Sequence, residues 1–426
     1  MLGKLSIYLF LLLIIPDIYI YKLYITKSTG GSPFGWLWFL PSVLLVFTLV
    51  WILLSSKDAL AIQSLIGTFT IAYMAIVLPK TIFMVCSLLD LPLKYLLKWQ
   101  IQPFSWLGVV LGACMMIMIL YGAIWGKTRF DVKQVTFTSP NLPAAFDGYR
   151  IAQISDIHTG SWNGDRVALQ KAVDRINAQQ TDLIVFTGEI VNTKATELEP
   201  FENILAQLKA PDGVFSILGN HDYGPYHNWP TTEARDQNIR DIQDKQAVMG
   251  WQLLNNDHVI LKRAADSIAL IGVENNGEPP FSQYSDLPKA MKGTEQCAFK
   301  LLLSHNPTHW RREVLDTDID LMLAGHTHAM QFAVGRLSPS RFMYPEWSGL
   351  YMEGKQGLYV NVGLGYIGLM PLRFGAWPDG HHAETIENGE LKIENENSVR
   401  NSKISDTFQA VGCFEGKLKL KLYVTL

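Results

Sequence analysis

The chain has 426 residues, room for two or three domains, and its 36 Lys and Arg against 39 Asp and Glu give a net charge of −3. Nothing polybasic points to nucleic acid. Four Cys, two of them (Cys86 and Cys114) inside apolar runs, exclude a disulfide scaffold and a cysteine-rich zinc site.

The first third reads as a membrane region. Residues 1–126 carry seven Lys and three acids. Uncharged runs of 29 residues between Lys27 and Lys57, 21 between Asp58 and Lys80, and 28 between Lys98 and Lys127 each suffice for a helix across a bilayer. The first run, Leu5–Ile25, is interrupted by Pro16 and Asp17. No small-residue cleavage site follows Met1–Ile15, so it reads as a retained helix and not as a signal peptide. Trp36, Trp38, Trp51, Trp99, Trp106 and Trp125 fall near the ends of the runs, as an aromatic belt would place them. Asp17 reads as interfacial. Four spans put both termini on one side. Lys4, Lys57, Lys127, Arg129 and Lys133 on that side, against Lys22, Lys27, Lys94 and Lys98 opposite, leave orientation open with a one-residue margin for a cytoplasmic domain.

From residue 127 the composition becomes that of an α/β domain. Short β-branched and aliphatic runs recur at Tyr149–Ser155, Asp182–Thr187, Gly213–Leu218, Ser267–Val273, Phe299–Ser304, Asp320–Ala324 and Gly357–Val362, and read as strands buried on both faces. Helical stretches lie between them, among them Asp165–Gln179, with Asn163 or Asp165 as cap, and Glu197–Leu208. This alternation predicts a layered α/β domain.

Chemistry-bearing residues collect just past these strands. In order they are Asp156-Ile157-His158, Gly188-Glu189-Ile190-Val191-Asn192, Gly219-Asn220-His221-Asp222, His305-Asn306-Pro307 and Gly325-His326-Thr327-His328. Any one alone is an ordinary surface feature. Five at the same relative position, holding five of the ten His of the chain, form a pattern, because ligands bind at the carboxyl ends of strands in open α/β sheets. Imidazole, carboxylate and amide oxygen together suit a mixed N/O site for Zn, Fe or Mn with open positions. Two cations a few ångströms apart need a bridging carboxylate, and Glu189 is the candidate.

These five motifs in this order resemble the calcineurin-like metallophosphoesterases, in particular the membrane-linked branch that includes the bacterial YkuE- and YaeI-type phosphodiesterases. Leu303-Ser304-His305-Asn306-Pro307 and the later Gly363-Leu364-Gly365 and Arg373-Phe374 stretch add to the likeness, which covers roughly residues 130–378. The resemblance implies a four-layer αββα sandwich after a four-helix transmembrane region, with divisions at 1–126, 127–380 and 381–426. It implies two divalent cations (Mn, Zn or Fe), one held by Asp156, His158 and His328, the other by Asn220, His305 and His326, with Glu189 bridging. It gives His221 the role of proton donor to the leaving group, its ring held by Asp222. The implied protein is a multi-pass enzyme of the cell membrane that hydrolyses a phosphodiester or pyrophosphate bond, its substrate lipid-linked. Some relatives cleave a UDP-linked acylated sugar.

Two departures stand out. Glu189 occupies a position where the family usually has Asp, and Ala329-Met330-Gln331 replaces a common Gly-Gly-Gln. The first motivates an alternative reading, a membrane sensor that binds metal or phosphate without turnover. A transporter, with Asp17 in the spans, is the weakest reading. The adjacent His381-His382 reads as ordinary surface, and residues 383–408 as loosely ordered. Lys417–Leu426 reads as an amphipathic edge strand or an unstructured end, and the aromatic segment Arg341–Met352 as either a substrate entrance or packing.

Overall fold

The computed structural model describes residues 2–55, 60–99, 101–125, 130–162, 164–279, 281–334, 338–367, 372–374, 385–387, 390–392 and 418–425. Asn163, His381, His382 and most of 383–408 lie outside them. The chain forms two units, Met1–Arg129 with Ile367–Arg373, and Phe130–Tyr366 with Phe374–Leu426.

In the first unit, Tyr8–Ser28, Pro33–Leu54, Leu65–Leu96 and Pro103–Ile124 are helical and long and apolar enough to cross a membrane. Lys80 does not end the third run, as the charge count implied. The helix Leu60–Leu88 continues through Pro79 and Lys80. Gly108 and Gly112, four apart on the last helix, let it approach this one closely. A Cβ on Gly108 would lie 3.0 Å from Phe83 Cα, and one on Gly112 would lie 3.1 Å from the Pro79 carbonyl oxygen. Asp90 reaches the start of the last helix and accepts from the backbone N–H of Phe104 and Ser105 at 3.1 and 2.6 Å, capping donors that have no partner within the helix.

Asp17 falls in the middle of the span Tyr8–Ser28 and not near its end. Its side chain is fully buried, and Lys80 Nζ donates to its Oδ1 at 2.6 Å. The same ammonium donates to Ser42 Oγ at 3.3 Å and sits 4.6 Å from the centre of the Trp38 ring, whose Nε1 donates to the Asp17 carbonyl. Three spans are therefore tied at one ionic point, in a setting where an unpaired charge is expensive. Asp17→Asn or Lys80→Met alone should cost about 3–5 kcal/mol, because each leaves one buried charge uncompensated. Replacing both should recover most of that loss. Thermal unfolding of the four proteins in detergent, treated as a double-mutant cycle, measures this; simple additivity would refute the coupling.

The second unit is built on two six-stranded sheets. In the first, the spatial order is β1 (Val132–Ser139), the C-terminal strand Leu418–Thr425, β2 (Arg150–Ile154), β3 (Leu183–Phe186), β4 (Val214–Ser216) and β5 (Gln252–Leu253). The second runs from the hairpin Gly349–Glu353 and Gln356–Val360 to β9 (Leu321–Ala324), β8 (Lys300–Leu303), β7 (Asp266–Gly272) and β6 (Asp257–Arg263). Side-chain alternation sorts the core into layers. Ile151, Leu183, Val185, Leu301, Leu303, Leu321 and Leu323 share one cluster between the sheets. Ile154, Ile184 and Phe186 turn the other way, onto Leu169, Ala172, Val173 and Ile176 of the helix Arg166–Asn177. Leu302, Met322 and Ala324 face Leu287, Trp310 and Val314. The architecture is the expected αββα sandwich.

One local reading holds and two change. Asp165 caps its helix as expected, its Oδ1 accepting from Ala168 N at 3.0 Å. The stretch Glu197–Leu208 is not one helix but two short turns, Ala195–Leu198 and Glu202–Leu205, separated at Pro200, which cannot continue a helix from the residue before it. The C-terminal strand is not at an edge. It pairs antiparallel with β1 over eight residues and parallel with β2 over four, so it fills the place between them.

Candidate metal centre

Strands β2, β3 and β4 run parallel, as do β7, β8 and β9, so the loops after them emerge at strand carboxyl ends. Those loops carry every residue singled out above. Asp156, His158, Glu189 and His328 each offer a ligand atom within 4.8 Å of the others, and Glu189, His305 and His326 form a second such group. Glu189 belongs to both and is 1% exposed.

The backbone is strained to achieve this. Asp156, His158, Glu189, His326 and His328 all adopt left-handed φ, between 47° and 75°. Non-glycine residues avoid that region unless the surroundings impose it, and such residues cluster at functional sites. Two glycines permit the crowding. A Cβ on Gly219 would lie 2.5 Å from Glu189 Cγ, and one on Gly365 would lie 1.9 Å from the Ile157 carbonyl oxygen. Gly365 N also donates to the Asp156 carbonyl at 2.8 Å, which gives the late glycine stretch its place against the first motif. Ala329, Met330 and Gln331 take left-handed φ of 51°, 47° and 57° where glycine would be free of strain.

The ligand atoms test the fit of a cation. His158 Nε2 lies 2.8 Å from Glu189 Oε2 and 3.0 Å from His328 Nε2, which in turn is 3.3 Å from Asp156 Oδ1. Two ring nitrogens facing each other can share one proton at most; a cation among these four atoms satisfies both. In the second group Glu189 Oε1, His305 Nε2 and His326 Nδ1 are all buried without a hydrogen-bond partner, and so is Asn220 Oδ1 in the loop after β4. His305 Nε2 and Glu189 Oε1 stand 3.1 Å apart without hydrogen-bond geometry. Leaving a buried polar atom unpaired costs about 1–3 kcal/mol, and buried nitrogen and oxygen atoms of this kind are the donors a divalent cation takes up. His305 Nδ1 donates to the Thr187 carbonyl at 2.7 Å, turning its Nε2 lone pair toward the group.

Electrostatics agree. Burial pushes the Glu189 carboxyl up, but the imidazoles of His221, His305 and His158 outweigh it and hold the carboxyl well below its ordinary value. Burial pulls His305 down, yet Glu189 raises it to about 9. Burial, helped by His305, pulls His326 down to about 3. A dense buried charge cluster of this kind is where a functional site is expected.

His221 stands beside the first group, its ring 4.9 Å from that of His158 and perpendicular to it. Asp222 does not hold this ring. Its Oδ2 accepts from the N–H of Gly219 and Glu189 at 2.9 and 2.8 Å, and its Oδ1 from Ile190 and Val191 at 2.9 and 3.2 Å. Four backbone donors fill both oxygens, so Asp222 shapes the Glu189 turn. The ring of His221 is oriented by the Asn192 carbonyl, 2.7 Å from Nδ1. That loop is tied down by Glu197, whose carboxylate accepts from the N–H of Asn192, Thr193 and Lys194 at 2.6 to 3.1 Å. A backbone carbonyl has no sequence signal of its own, so this partner was not readable. Of the aromatic segment, Tyr344 reaches the site, its hydroxyl 3.0 Å from His326 Nε2. Trp347 is buried packing, and Tyr351 accepts from the Trp347 and Ser348 N–H groups.

Residues 149–330 match the family model "Calcineurin-like phosphoesterase" and residues 3–127 the model "Probable Calcineurin-like phosphoesterase, transmembrane domain". The chain thus carries a calcineurin-like phosphoesterase domain together with the transmembrane domain of probable calcineurin-like phosphoesterases. Similar proteins include the transmembrane protein with metallophosphoesterase domain of Danio rerio, 29% identical over 274 residues, 61% of this chain and 58% of that protein. The uncharacterized metallophosphoesterase YkuE of Bacillus subtilis is 29% identical over 61% of this chain and 88% of its own length. The UDP-2,3-diacylglucosamine pyrophosphatase LpxG of Chlamydia muridarum is 26% identical over 56% of this chain and 84% of its own length. The match to the zebrafish relative thus spans little more than half of that protein.

Asp222→Asn turns one acceptor oxygen into a donor facing backbone N–H groups. It should destabilise the domain by about 3 kcal/mol and lower metal content, measured by thermal unfolding and by elemental analysis. Full metal retention would show that the Glu189 turn is held by other contacts.

Proposed function

We propose that the protein is a membrane-anchored hydrolase that uses two divalent cations to cleave a phosphodiester or pyrophosphate bond. The observation that carries this reading is the convergence on Glu189 of two groups of buried ligand atoms, one of them without hydrogen-bond partners. Asp156, His158 and His328 would hold one cation, Asn220, His305 and His326 the other, and Glu189 both. Cations bound there supply Lewis acidity and lower the pKa of attacking water.

The residues of the chain do the rest. His221 donates Nδ1–H to the Asn192 carbonyl, so Nε2 is the atom that exchanges a proton with substrate. Burial pulls its pKa to about 4, which leaves the ring neutral at pH 7. An arriving phosphate anion favours protonation of Nε2, and the ring then passes that proton to the leaving oxygen. His221→Ala should lower turnover by about 10²–10⁴-fold and leave both cations bound, as read by kinetics and elemental analysis. Loss of metal in step with activity would give His221 a ligand's role instead.

The spans favour a lipid-linked substrate, since a tethered site meets bilayer molecules without a search through bulk water. The likeness to a pyrophosphatase of a diacylated nucleotide sugar supports the same class. The expected result is release of water-soluble phosphate product from extracted lipids by the metal-loaded protein. Hydrolysis confined to soluble nucleotides would overturn the lipid-linked reading. A generic aryl phosphodiester, tested on wild type and Glu189→Asp, separates enzyme from sensor: silence in both favours the sensor.

A further inference from the structure

We propose that Tyr226 and Tyr344 form a two-phenol clamp that donates hydrogen bonds to the non-bridging oxygens of a phosphate held at the second ligand group. The inference rests on the metal reading above and adds to it the chemistry that grips the substrate.

The two tyrosines come from separate loops and make the same contact. The Tyr226 hydroxyl accepts from Asn220 Nδ2 at 3.2 Å, leaving Asn220 Oδ1 as the buried unpartnered atom of that amide. The Tyr344 hydroxyl lies 3.0 Å from His326 Nε2, leaving His326 Nδ1 unpartnered. A nitrogen that holds a cation presents its lone pair, so the ring proton of a neutral His326 sits on Nε2 and is donated to Tyr344. Both phenols therefore spend an oxygen lone pair on a ligand side chain and keep their own O–H. Each remaining proton is one hydrogen bond removed from a side chain of the same group, where an anionic oxygen would sit.

Neither residue is positioned as simple packing. Tyr226 is 55% exposed, yet its ring lies 4.4 Å from that of His221, on a loop turned at Gly224 and pinned by Trp229 Nε1 donating to the Gly224 carbonyl at 2.7 Å. Tyr344 follows a segment fastened to the ligand loop by Ser338 Oγ, which donates to the Ala329 carbonyl at 2.7 Å. The Phe281 ring lies 4.8 Å from that of His326 and perpendicular to it. Two donors from separate loops suit a phosphorus centre with two free oxygens, as a phosphodiester or diphosphate offers.

The test uses the full metal-loaded chain in detergent, with inorganic phosphate as the probe. Tyr226→Phe and Tyr344→Phe should each weaken phosphate binding in calorimetry by about tenfold or more, since each removes a hydrogen bond to a charged group. Metal content and melting temperature should stay at wild-type values, and kcat/KM on any cleaved ester should fall by a similar factor. Phosphate affinity unchanged in both variants overturns the clamp while leaving the hydrolase reading intact. Metal loss in step with phosphate affinity also overturns it, because the phenols would then act only on the ligands. If wild type binds phosphate, the Phe variants weaken it, and no ester is cleaved, the clamp stands and the hydrolase reading falls. Wild type without phosphate affinity overturns the clamp outright.

Discussion

One carboxylate organises this domain. Glu189 lies almost wholly out of water, and its two oxygens face different groups of ligands: Oε2 toward His158 and His328, Oε1 toward His305. A buried carboxylate among imidazoles is tolerable only when its charge is matched, and cations are the natural match in a site this rich in nitrogen donors. The cost of holding it there is visible in the left-handed backbone of five candidate ligand residues and in the four N–H groups collected by Asp222. Side chain and turn are fixed by separate devices, and the site depends on both.

Glu189 is one methylene longer than the Asp that the family resemblance leads one to expect, and the surroundings accommodate it. Gly219 leaves room at Glu189 Cγ, where any Cβ would stand 2.5 Å away. Asp222 holds the backbone of Glu189 and the N–H of Gly219 on a single oxygen, so the turn and the glycine that clears space for the longer side chain are locked together. The extra reach serves two groups at once, with 2.8 Å to His158 and 3.1 Å to His305 from opposite oxygens. The longer side chain therefore leaves the carboxylate shared between the two groups.

Much of this was legible because period and position are properties of sequence. The central strands β2, β3, β8 and β9 are short apolar runs ending in polar residues, and Asp156, Glu189, His305 and His326 follow them directly. What escaped was set by contacts between distant segments. The Asn192 carbonyl that orients His221 has no side-chain signature, and adjacency in sequence wrongly suggested Asp222. Lys80 looked like the end of a span because a charge count cannot see Asp17, 63 residues earlier, neutralising it. Glu197–Leu208 had the spacing of one helix, and Pro200 divided it.

The C-terminal strand shows why local reading fails there in particular. Leu418, Leu420, Leu422 and Val424 alternate with Lys419, Lys421 and Tyr423, a pattern that fits an edge strand with one wet face. In the fold, Leu420, Leu422 and Val424 enter the cluster between the two sheets, beside Phe137 and Ile151. The opposite face is not simply wet either, because Arg150 lies over the Tyr423 ring at 4.8 Å. Both backbone edges are used, by β1 on one side and β2 on the other. The strand β2 delivers Asp156 and His158, so the last residues of the chain brace the first motif of the site, and the sheet is complete only after the polar stretch has been made.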